Sequence, residues 1–344
     1  MEKAYFNVIN QIFKPYQASI LKLYQKFRSF EKVYDYLKRN NKLKEIDIEK
    51  EYEKVKKLDI EVVTLSENGY PEILKNIDSP PLGFYALGNL KILKEETLFV
   101  AIVGTRKASN YGKETSFRFS KGLSNLGVII VSGLAYGIDE YAHKGAVDVG
   151  SKTIAVLGEG IDLVLNSPKR KLVEKILEND GLIISEYSLS TPAMPYHFPL
   201  RNRIIAGLSN AVLVIEAPID SGALITANYA LKYGREIFVV PGEITNKNFE
   251  GSHNLIKQGA KLVTSIEDIL VEFGIDYKEK NKVKKLKLSP REEIIIESLQ
   301  VKEKTIEELS KETNFPIQDL LVLLTHMEIK GLIKNKEGKF YLNL

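Results

Sequence analysis

The sequence predicts an α/β protein built around an extended Rossmann-like domain, a doubly wound and mostly parallel sheet with helices on both faces. Six short apolar runs alternate with helix-forming stretches between residues 97 and 241. None of these runs alternates apolar with polar residues, so each predicts a strand buried on both faces, as in a parallel sheet. The length of 344 residues exceeds one ordinary domain, so we expect smaller domains on either side.

The N-terminal part, residues 1–57, predicts a small helical domain. Its stretch "ASILKLYQKFRSFEKVYDYLKRN" repeats apolar residues at steps of three and four, the period of an amphipathic helix. From residue 58 the pattern changes, and the β-branched "DIEVVTL" predicts a strand. The following "GYPEILKNIDSPPLGFYALGNL" is rich in Pro and Gly and predicts turns and short elements.

The predicted Rossmann-like domain occupies residues 58–274. Its buried strands are predicted, in order, at "TLFVAIVG", "VIIVSG", "TIAVLG", "GLIIS", "AVLVIEA" and "EIFVVPG". Helices are predicted between them at "YGKETSFRFSKGLSNLG", "IDEYAHKGAVDVG", "SPKRKLVEKILEND", "NRIIAGLSN" and "GALITANYALKYG". The stretches "SHNLIKQG", "AKLVTS" and "IEDILVEFG" close the series. Such alternation is typical of strand–helix–strand units in a parallel sheet.

The C-terminal part, residues 288–344, predicts a winged-helix domain. A lysine-rich stretch, residues 275–287, precedes it and is expected to be a solvated linker that can weakly attract nucleic acid. "SPREEIIIESL" and "TIEELSKET" carry helix-start signals, "PIQDLLVLLTHMEIKGLI" predicts a longer helix, and a hairpin is expected around Glu337 and Gly338. Domains of this kind bind DNA or proteins, and both roles stay open. The recognition helix would hold no arginine, which counts against DNA contact.

The composition excludes several classes of function. The chain has no cysteine, so disulfides, thiolate metal sites and cysteine nucleophiles are ruled out. Its four histidines have no metal-ligand spacing, and we expect neither a metal nor another cofactor. The net charge is only +4, so any anion site must be local. The sequence shows no signal peptide and no long uncharged apolar stretch, so we expect a cytoplasmic protein without membrane contact.

The loop after the first buried strand predicts an anion site. Ligands of doubly wound sheets bind beyond the carboxyl ends of the strands, near the point where the strand order reverses. There Gly104 allows a tight turn, Thr105 offers a hydroxyl and Arg106 a guanidinium. The helix amides that follow Ser109 would point at the same place. The spacing to the next Gly-Lys pair does not match a Walker loop.

The loops after the next two strands extend this candidate site. Ser132 and Gly133 again place a hydroxyl and a bare backbone at a helix start. Asp139 and His143 share a helix face, which fits a structural role better than an acid–base pair. "GEGIDL" lacks the third glycine of a dinucleotide fingerprint, so NAD binding is poorly supported. Lys169 lies at a predicted helix N-terminus, where a cation is unfavourable unless an anion is nearby.

The segment "FPLRNRIIAGLSN" supplies the densest cluster of candidate residues. Arg201, Asn202 and Arg203 follow the fourth strand and open the helix predicted at "NRIIAGLSN", whose amides would favour an anion. We expect at least one arginine to contact phosphate, with Phe198 near a base and His197 beside it. The other arginine can anchor the loop by an internal ion pair.

Together these loops predict a groove for single-stranded nucleic acid. Ser221 and Gly222 repeat the hydroxyl-plus-glycine pattern after the fifth strand. Cations that follow a backbone, interleaved with aromatic faces on which bases stack, are what such a groove needs. The sequence places no carboxylate pair, nucleophile elbow or metal cluster beside them, so we do not expect an enzyme.

Five stretches, in this order and spacing, resemble the DNA-processing protein A family, also called DprA or Smf. They are "GTRKASNYG", "SGLAYGIDEYAH", "FPLRNRIIAGLS", "SGALITANYALKYGREIFVVPG" and "GSHNLIKQGA", and the resemblance covers residues 58–274. The N-terminal helices resemble the family's SAM-like or helix-hairpin-helix-like domain, and the tail resembles its winged-helix domain. The resemblance implies a bacterial cytoplasmic homodimer that binds single-stranded DNA without cutting it and loads the RecA recombinase during natural transformation.

The resemblance also assigns residues. The family's Gly-Ser/Thr-Arg motif corresponds to residues 104–106, and its Arg-Asn-Arg segment to residues 201–203, with Phe198 at the preceding aromatic position. Some members place a lysine shortly before that aromatic residue. Here "MPYHF" has none, and His197 or Lys169 can take its place.

Two other classes of function compete with this interpretation. The first is a nucleotide-hydrolysing enzyme of the LOG-like Rossmann group, but the paired glycines and glutamate of its "PGGxGTxxE" loop are missing from "APIDSGALITAN" and "PGEITN". The second is a winged-helix transcription regulator with a ligand-sensing domain, which would prefer a specific duplex.

Overall fold

A computed structural model describes residues 1–13, 15, 18–40, 42–43, 46–275, 289–329, 332–336 and 338–342. The chain forms two compact units, Met1–Ile275 and Asp276–Leu344. The first unit holds the N-terminal helices together with a large sheet, and the domain boundary after residue 57 stays a prediction. The predicted linker at residues 275–287 lies outside the described residues except for its first residue, and so does Glu337 of the predicted hairpin.

The sequence predicts short helices at the N-terminus, and four are present among the described residues there. They are α1 (Glu2–Ile12), α2 (Ala18–Phe27), α3 (Phe30–Arg39) and α4 (Ile48–Lys56). The Ser29 hydroxyl caps α3 by accepting from the backbone N–H of Lys32. The Glu2 carboxylate accepts the N–H of Phe30 at 2.6 Å, which joins the starts of α1 and α3.

Nine strands form one sheet among the described residues of the first unit. They are β1 (Glu61–Thr64), β2 (Gly83–Gly88), β3 (Phe99–Val103), β4 (Ile129–Ser132), β5 (Thr153–Leu157), β6 (Leu182–Ser185), β7 (Ala211–Val214), β8 (Glu236–Val239) and β9 (Lys261–Leu262). Their spatial order is β1-β2-β6-β5-β4-β3-β7-β8-β9. From β6 to β9 all neighbours are parallel, whereas β1 and β2 add an antiparallel extension. The predicted α/β class with a mostly parallel, doubly wound sheet is confirmed.

Helices cover both faces of this sheet. After β1 they are α5 (Glu72–Lys75), α6 (Asn110–Asn125), α7 (Ile138–Asp148), α8 (Ile161–Leu165), α9 (Arg170–Glu178), α10 (His197–Leu208), α11 (Gly222–Lys232), α12 (Glu250–Lys257) and α13 (Ile266–Glu272). One apolar core joins Val156 on β5 to α10 and α11. The neighbouring residues Ala155 and Leu157 point to the other face, where a second core includes α9 and the N-terminal helices.

Helix α1 is fixed to the sheet by polar contacts. Tyr85 Oη on β2 donates to Asn7 Oδ1 at 2.8 Å. Asn10 Nδ2 donates to the carbonyl of Glu186, just after β6, at 2.8 Å. Helix α1 is therefore held both to the added strand β2 and to the loop that follows β6.

The strand order reverses between β3 and β7. From β3 the chain builds outward through β4, β5 and β6, and from β7 it builds the other way through β8 and β9. The carboxyl ends of these parallel strands meet at one edge, where ligands of such sheets bind. We call this edge the rim, formed by residues 104–109, 133–137, 158–169, 186–198 and 215–222.

The second unit has an apolar core of its own. Its described elements are α14 (Pro290–Val301), β10 (Lys304–Thr305), α15 (Ile306–Thr313), α16 (Ile317–Ile329), β11 (Ile333–Lys336) and β12 (Lys339–Leu342). The strands form an antiparallel sheet in the order β10-β12-β11. Capping boxes at Ser289 and Thr305 start α14 and α15, where the sequence predicts helix starts.

Candidate nucleic-acid interface

A buried carboxylate lies in the rim at the point where the strand order reverses. Glu216, in the loop after β7, is fully buried. Its carboxylate accepts from the backbone N–H of Ser109 at 2.9 Å and from Asn248 Nδ2 at 3.2 Å. Ser109 is the N-cap of α6, so this carboxylate occupies the place where an anion would meet the helix start. The structure therefore places the carboxylate of Glu216 at the start of α6, next to the amides where the sequence predicts an anion.

Helix α10 begins earlier than the sequence predicts. It starts at His197, so Arg201 and Arg203 lie in its second turn, and the prediction that they open the helix is wrong. The physical reason is Pro199. In a first helical turn the backbone N–H has no intrahelical partner, so a proline there removes no hydrogen bond and does not end the helix.

Arg201 is buried and connects helix α10 to the ends of two strands by hydrogen bonds. Its side chain is 3% exposed, and Nη1 donates to the carbonyl of Gly133 at 2.8 Å and also to the carbonyl of Val156. A Cβ at Gly133 would lie 2.6 Å from the guanidinium, so glycine is needed where the two meet. Burial lowers the pKa of Arg201 to about 10, with Asp139 opposing the shift, so the side chain stays charged near neutral pH. Arg201 therefore ties α10 to the carboxyl ends of β4 and β5.

Arg203 forms a buried ion pair. Its side chain is fully buried, and Nη2 lies 2.6 Å from Glu186 Oε1. Burial raises the pKa of Glu186, and the charge of Arg203 opposes that rise. This pair corresponds to the internal ion pair that the sequence allows for one of the two arginines, and it joins α10 to the end of β6.

Arg106 and Phe198 meet at the surface of the rim. Arg106 is exposed, and its guanidinium carbon lies 4.3 Å from the centroid of the half-buried Phe198 ring. Such a cation–π contact is worth about 0.5–1 kcal/mol at an exposed site. Phe198 rests on Gly158, where a Cβ would approach the ring to 3.1 Å. The ring of Phe198 thus packs closely on Gly158 and contacts Arg106 at the surface.

Lys169 and Tyr136 form a second cation–aromatic pair. Lys169 is the N-cap residue of α9, and its Nζ lies 4.9 Å from the Tyr136 ring centroid. Burial lowers the pKa of Lys169, and the charge of Glu159 opposes this. Tyr136 is 55% exposed and was not predicted as a site residue. The available signal was an aromatic residue before a glycine in the loop that follows a buried strand.

The predicted hydroxyl and amide side chains serve the backbone of the rim. Ser132 is fully buried and donates to the carbonyl of Ile102 at 2.6 Å. Ser221 caps its own helix, α11, and Asn202 Nδ2 donates to the carbonyl of Gly222 at 3.0 Å. The Thr105 hydroxyl accepts from the N–H of Lys107 at 3.2 Å. These contacts shape the loops of the rim.

His197, Asp139 and His143 each have internal contacts of their own. His197 is buried, its Nδ1 is 3.0 Å from the Gly158 carbonyl, and its ring is stacked on Tyr187. Asp139 accepts from the N–H of Gly133 at 3.1 Å, whereas His143 Nδ1 bonds to the hydroxyl of Thr153 at 2.9 Å.

The structure divides the predicted site residues into two groups. The exposed or half-buried members are Gly104, Arg106, Lys169, Phe198, Ser221 and Gly222. The buried members are Thr105, Ser132, Gly133, His197, Arg201, Asn202 and Arg203. Among the described residues no group of three or more His, Asp or Glu could hold a metal ion. Within the same residues, none of the helices has the length and apolar character that crossing a membrane requires.

Comparisons with known proteins identify a family. Residues 61–274 match the sequence model of DNA recombination-mediator protein A. The chain is 45% identical over 209 residues to Protein Smf of Escherichia coli, and the match covers 60% of this chain but only 55% of that protein, just over half its length.

Two solved structures are also similar to this chain. The X-ray structure of DNA processing protein A from Streptococcus pneumoniae gives a TM-score of 0.65 at 34% identity, covering 79% of this chain and 95% of that one. A structure of DNA processing protein A from Helicobacter pylori, concerned with its single-stranded DNA binding mode, gives a TM-score of 0.55 at 29% identity. That similarity covers 62% of this chain and 95% of the Helicobacter pylori chain.

Proposed function

Because the chain belongs to the DNA recombination-mediator protein A family, we propose that it binds single-stranded DNA along the rim and does not cut it. The observation that carries this proposal is the pair of Arg106 and Phe198, an exposed guanidinium held over an aromatic ring. The pair lies at the sheet edge where ligands bind in this type of fold. A single strand offers a phosphate to the cation and the face of a base to the ring.

The buried contacts beneath the rim support this role by fixing its position. Phe198 lies in the first turn of α10, and the next turn is held by Arg201 and by the ion pair between Arg203 and Glu186. A side chain on a helix that is already fixed loses less conformational freedom when a strand binds. The buried arginines therefore act as positioning residues for the exposed pair.

We also propose that the protein protects incoming strands and promotes RecA loading in the cytoplasm, during natural transformation or recombination. For this it would act as a homodimer formed through the first unit. The exposed apolar side chains of Leu262 on the edge strand β9 and Val271 on α13 support a contact between copies at that end of the sheet.

For the second unit, we propose a winged helix that contacts protein. Its helix α16 exposes the apolar side chains of Ile317, Leu321 and Val322, and it contains no arginine or lysine. An exposed apolar surface of this kind is typical of protein contacts, whereas DNA contacts depend on cations.

Binding measurements on oligo(dT) over a range of salt concentrations test the proposed function. We expect the protein to bind the single strand more tightly than a duplex of equal length, with a steep loss of affinity as salt rises. Arg106→Ala should weaken binding to all sequences alike and flatten the salt dependence by about one phosphate contact. The matched control is Arg118→Ala, which removes an exposed arginine from α6 and should bind as the wild type does.

Three results would contradict the proposal. Tighter binding to a duplex of defined sequence would favour a transcription regulator. Hydrolysis of AMP would favour an enzyme of the LOG-like group. Equal affinities of the Arg106→Ala and Arg118→Ala variants would place the strand away from the rim.

A further inference from the structure

A second surface adjoins the rim between α7 and α9. It is an open groove of about 640 Å³ that begins at Tyr136 and Lys169 and ends at Asn179. The first two residues are the cation–aromatic pair of the rim, so rim and groove form one continuous surface. We call this surface the lateral groove.

The lateral groove has one neutralised wall and one cationic wall. On the α7 side its acids Glu140 and Asp148 each lie within 3.0 Å of a lysine Nζ. On the α9 side Lys171 and Lys175 are exposed, and within the described residues no ion pair joins either of them to a carboxylate. Glu178 stands beyond them at the far end. Because Lys171 and Lys175 are four residues apart on a helix, they lie on the same face, one turn apart.

Between the walls the groove has apolar side chains from both helices and from the loop after β4. They include Leu134, Val147 and Leu172. Helix α9 leads from the carboxyl end of β5 to the start of β6, so it runs from the rim toward the opposite edge of the sheet. Its nine residues span about 13 Å. Cations along one wall and an apolar floor match the phosphates and base faces of a single strand.

We propose that a bound single strand leaves the rim over the pair of Tyr136 and Lys169 and continues along the lateral groove. Lys171 and Lys175 bind its phosphates, and Tyr136 stacks on a base at the entrance. This inference rests on the proposed function, because it extends a strand that is already held at the rim. It adds a second segment of the binding site that only a longer strand reaches.

The double variant Lys171→Ala/Lys175→Ala tests the lateral groove, with oligo(dT) of about six and about fifteen nucleotides as probes for the full chain. For the longer strand we expect an affinity loss of about five- to tenfold. The slope of log K against log salt should flatten by about 1.4, the value for two phosphate contacts of a single strand. For the shorter strand, which the rim alone accommodates, the affinity should differ little from that of the wild type.

The matched control is Lys22→Ala/Lys26→Ala, which removes two lysines at the same spacing from α2, a helix that does not line the groove. It should bind both strands as the wild type does.

A second pair of variants tests the entrance. Tyr136→Ala should weaken binding of the longer strand about fivefold or more, whereas Tyr136→Phe keeps the ring and should retain wild-type affinity.

The groove and the rim fail in different ways. An unchanged salt slope for the longer strand in Lys171→Ala/Lys175→Ala overturns the lateral groove, and so does an equal loss for both lengths, which would make these lysines part of the rim. If the double variant instead loses only binding of polyglutamate, the groove takes an acidic protein and the inference is wrong. If Arg106→Ala binds both strands as the wild type does, it is the proposed function that fails.

Discussion

Arg106 and Arg201 have the same guanidinium group and lie at the same sheet edge, but their surroundings give them different roles. Arg106 is exposed and can contact a ligand, whereas Arg201 is buried and bonds to backbone carbonyls. Arg201→Met would leave the buried carbonyls of Gly133 and Val156 without their donor. Each unsatisfied buried acceptor costs about 1–3 kcal/mol, so we expect the free energy of unfolding to fall by about 3 kcal/mol. Urea unfolding measures this, and binding of oligo(dT) at a temperature where the variant is folded completes the test.

The comparison with Arg106→Ala decides between the two roles. That variant should lose affinity for single strands and keep the stability of the wild type, because Arg106 is exposed. If Arg201→Met kept wild-type stability and lost binding, Arg201 would contact the strand directly. The structural role assigned to its buried hydrogen bonds would then be wrong.

The chemistry of these residues is predictable from the sequence, but their burial is not. Strand ends of a parallel sheet meet at one edge, so the gathering of Arg106, Lys169 and Arg201 follows from where each lies after its strand. Arg201 is buried because the carbonyls of Gly133 and Val156, from two other parts of the chain, come within its reach. Local sequence carries no signal for such a tertiary contact.

His143 makes the stability of the protein depend on pH. The Thr153 hydroxyl donates to the Ile130 carbonyl, so it accepts from His143 Nδ1, which must carry the ring proton. Burial lowers the pKa of His143 from 6.5 to about 3, and the nearby charges of Arg201 and Lys169 act in the same direction. Below pH 6.5, His143 therefore binds a proton in the unfolded chain but not in the folded protein. The free energy of unfolding falls as the pH drops.

Between pH 6.5 and about pH 5 this single group should lower the free energy of unfolding by about 1.5 kcal/mol. His143→Asn keeps a donor toward Thr153 but cannot titrate, so its stability should change less over the same interval. Urea unfolding at several pH values measures both slopes. Burial raises the pKa values of Asp139 and Glu186 above their ordinary 3.8 and 4.5, so these two groups act in the opposite sense, and both are present in wild type and variant alike. Equal slopes for wild type and variant would show that folding does not lower the pKa of His143.

At the scale of elements, the start of α6 is built around the carboxylate of Glu216. Gly112 lies in the first turn of this helix, and a Cβ there would overlap Glu216 Oε2. Helix propensity alone would make Gly112→Ala stabilising by about 1 kcal/mol. The displaced carboxylate would lose its bonds to Ser109 and Asn248 inside the protein, which costs more than that. We expect a net loss of about 2 kcal/mol in urea unfolding.

Gly222→Ala is the matched control for Gly112→Ala. Gly222 also lies in the first turn of a helix, α11, and the nearest atom to an added Cβ is 4.0 Å away. This substitution should leave stability unchanged or raise it by about 0.5 kcal/mol. If Gly112→Ala were as stable as the control, the carboxylate of Glu216 would not hold the helix start.

Strand β2 and the start of helix α10 show the limits of local sequence patterns. The segment around β2, Gly83–Gly88, is rich in Pro and Gly and predicts only turns and short elements, whereas it forms a strand that pairs with β1 on one side and β6 on the other. Helix α10 extends back to His197 through a proline that reads as a breaker. In both cases tertiary pairing or position within a helical turn overrides a local preference. The six apolar runs predict strands from local sequence alone, and they form β3 to β8.

At the scale of the whole molecule, the first unit contains every contact that we assign to the bound strand. The rim and the lateral groove are both built from its loops and helices, whereas the second unit has a separate apolar core. The net charge of +4 is too small to hold DNA by general attraction, so affinity should follow local cations such as Arg106 and Lys171.

This division predicts the effect of shortening the chain. A chain ending at residue 288 lacks the elements of the second unit but keeps the lysine-rich stretch at residues 275–287. We expect it to bind oligo(dT) with the affinity and salt slope of the full chain. A chain ending at residue 275 also lacks those six lysines, so any weaker affinity and flatter slope in that variant alone would measure their contribution. A loss already present in the longer fragment would instead place the second unit, including α16, in contact with the strand.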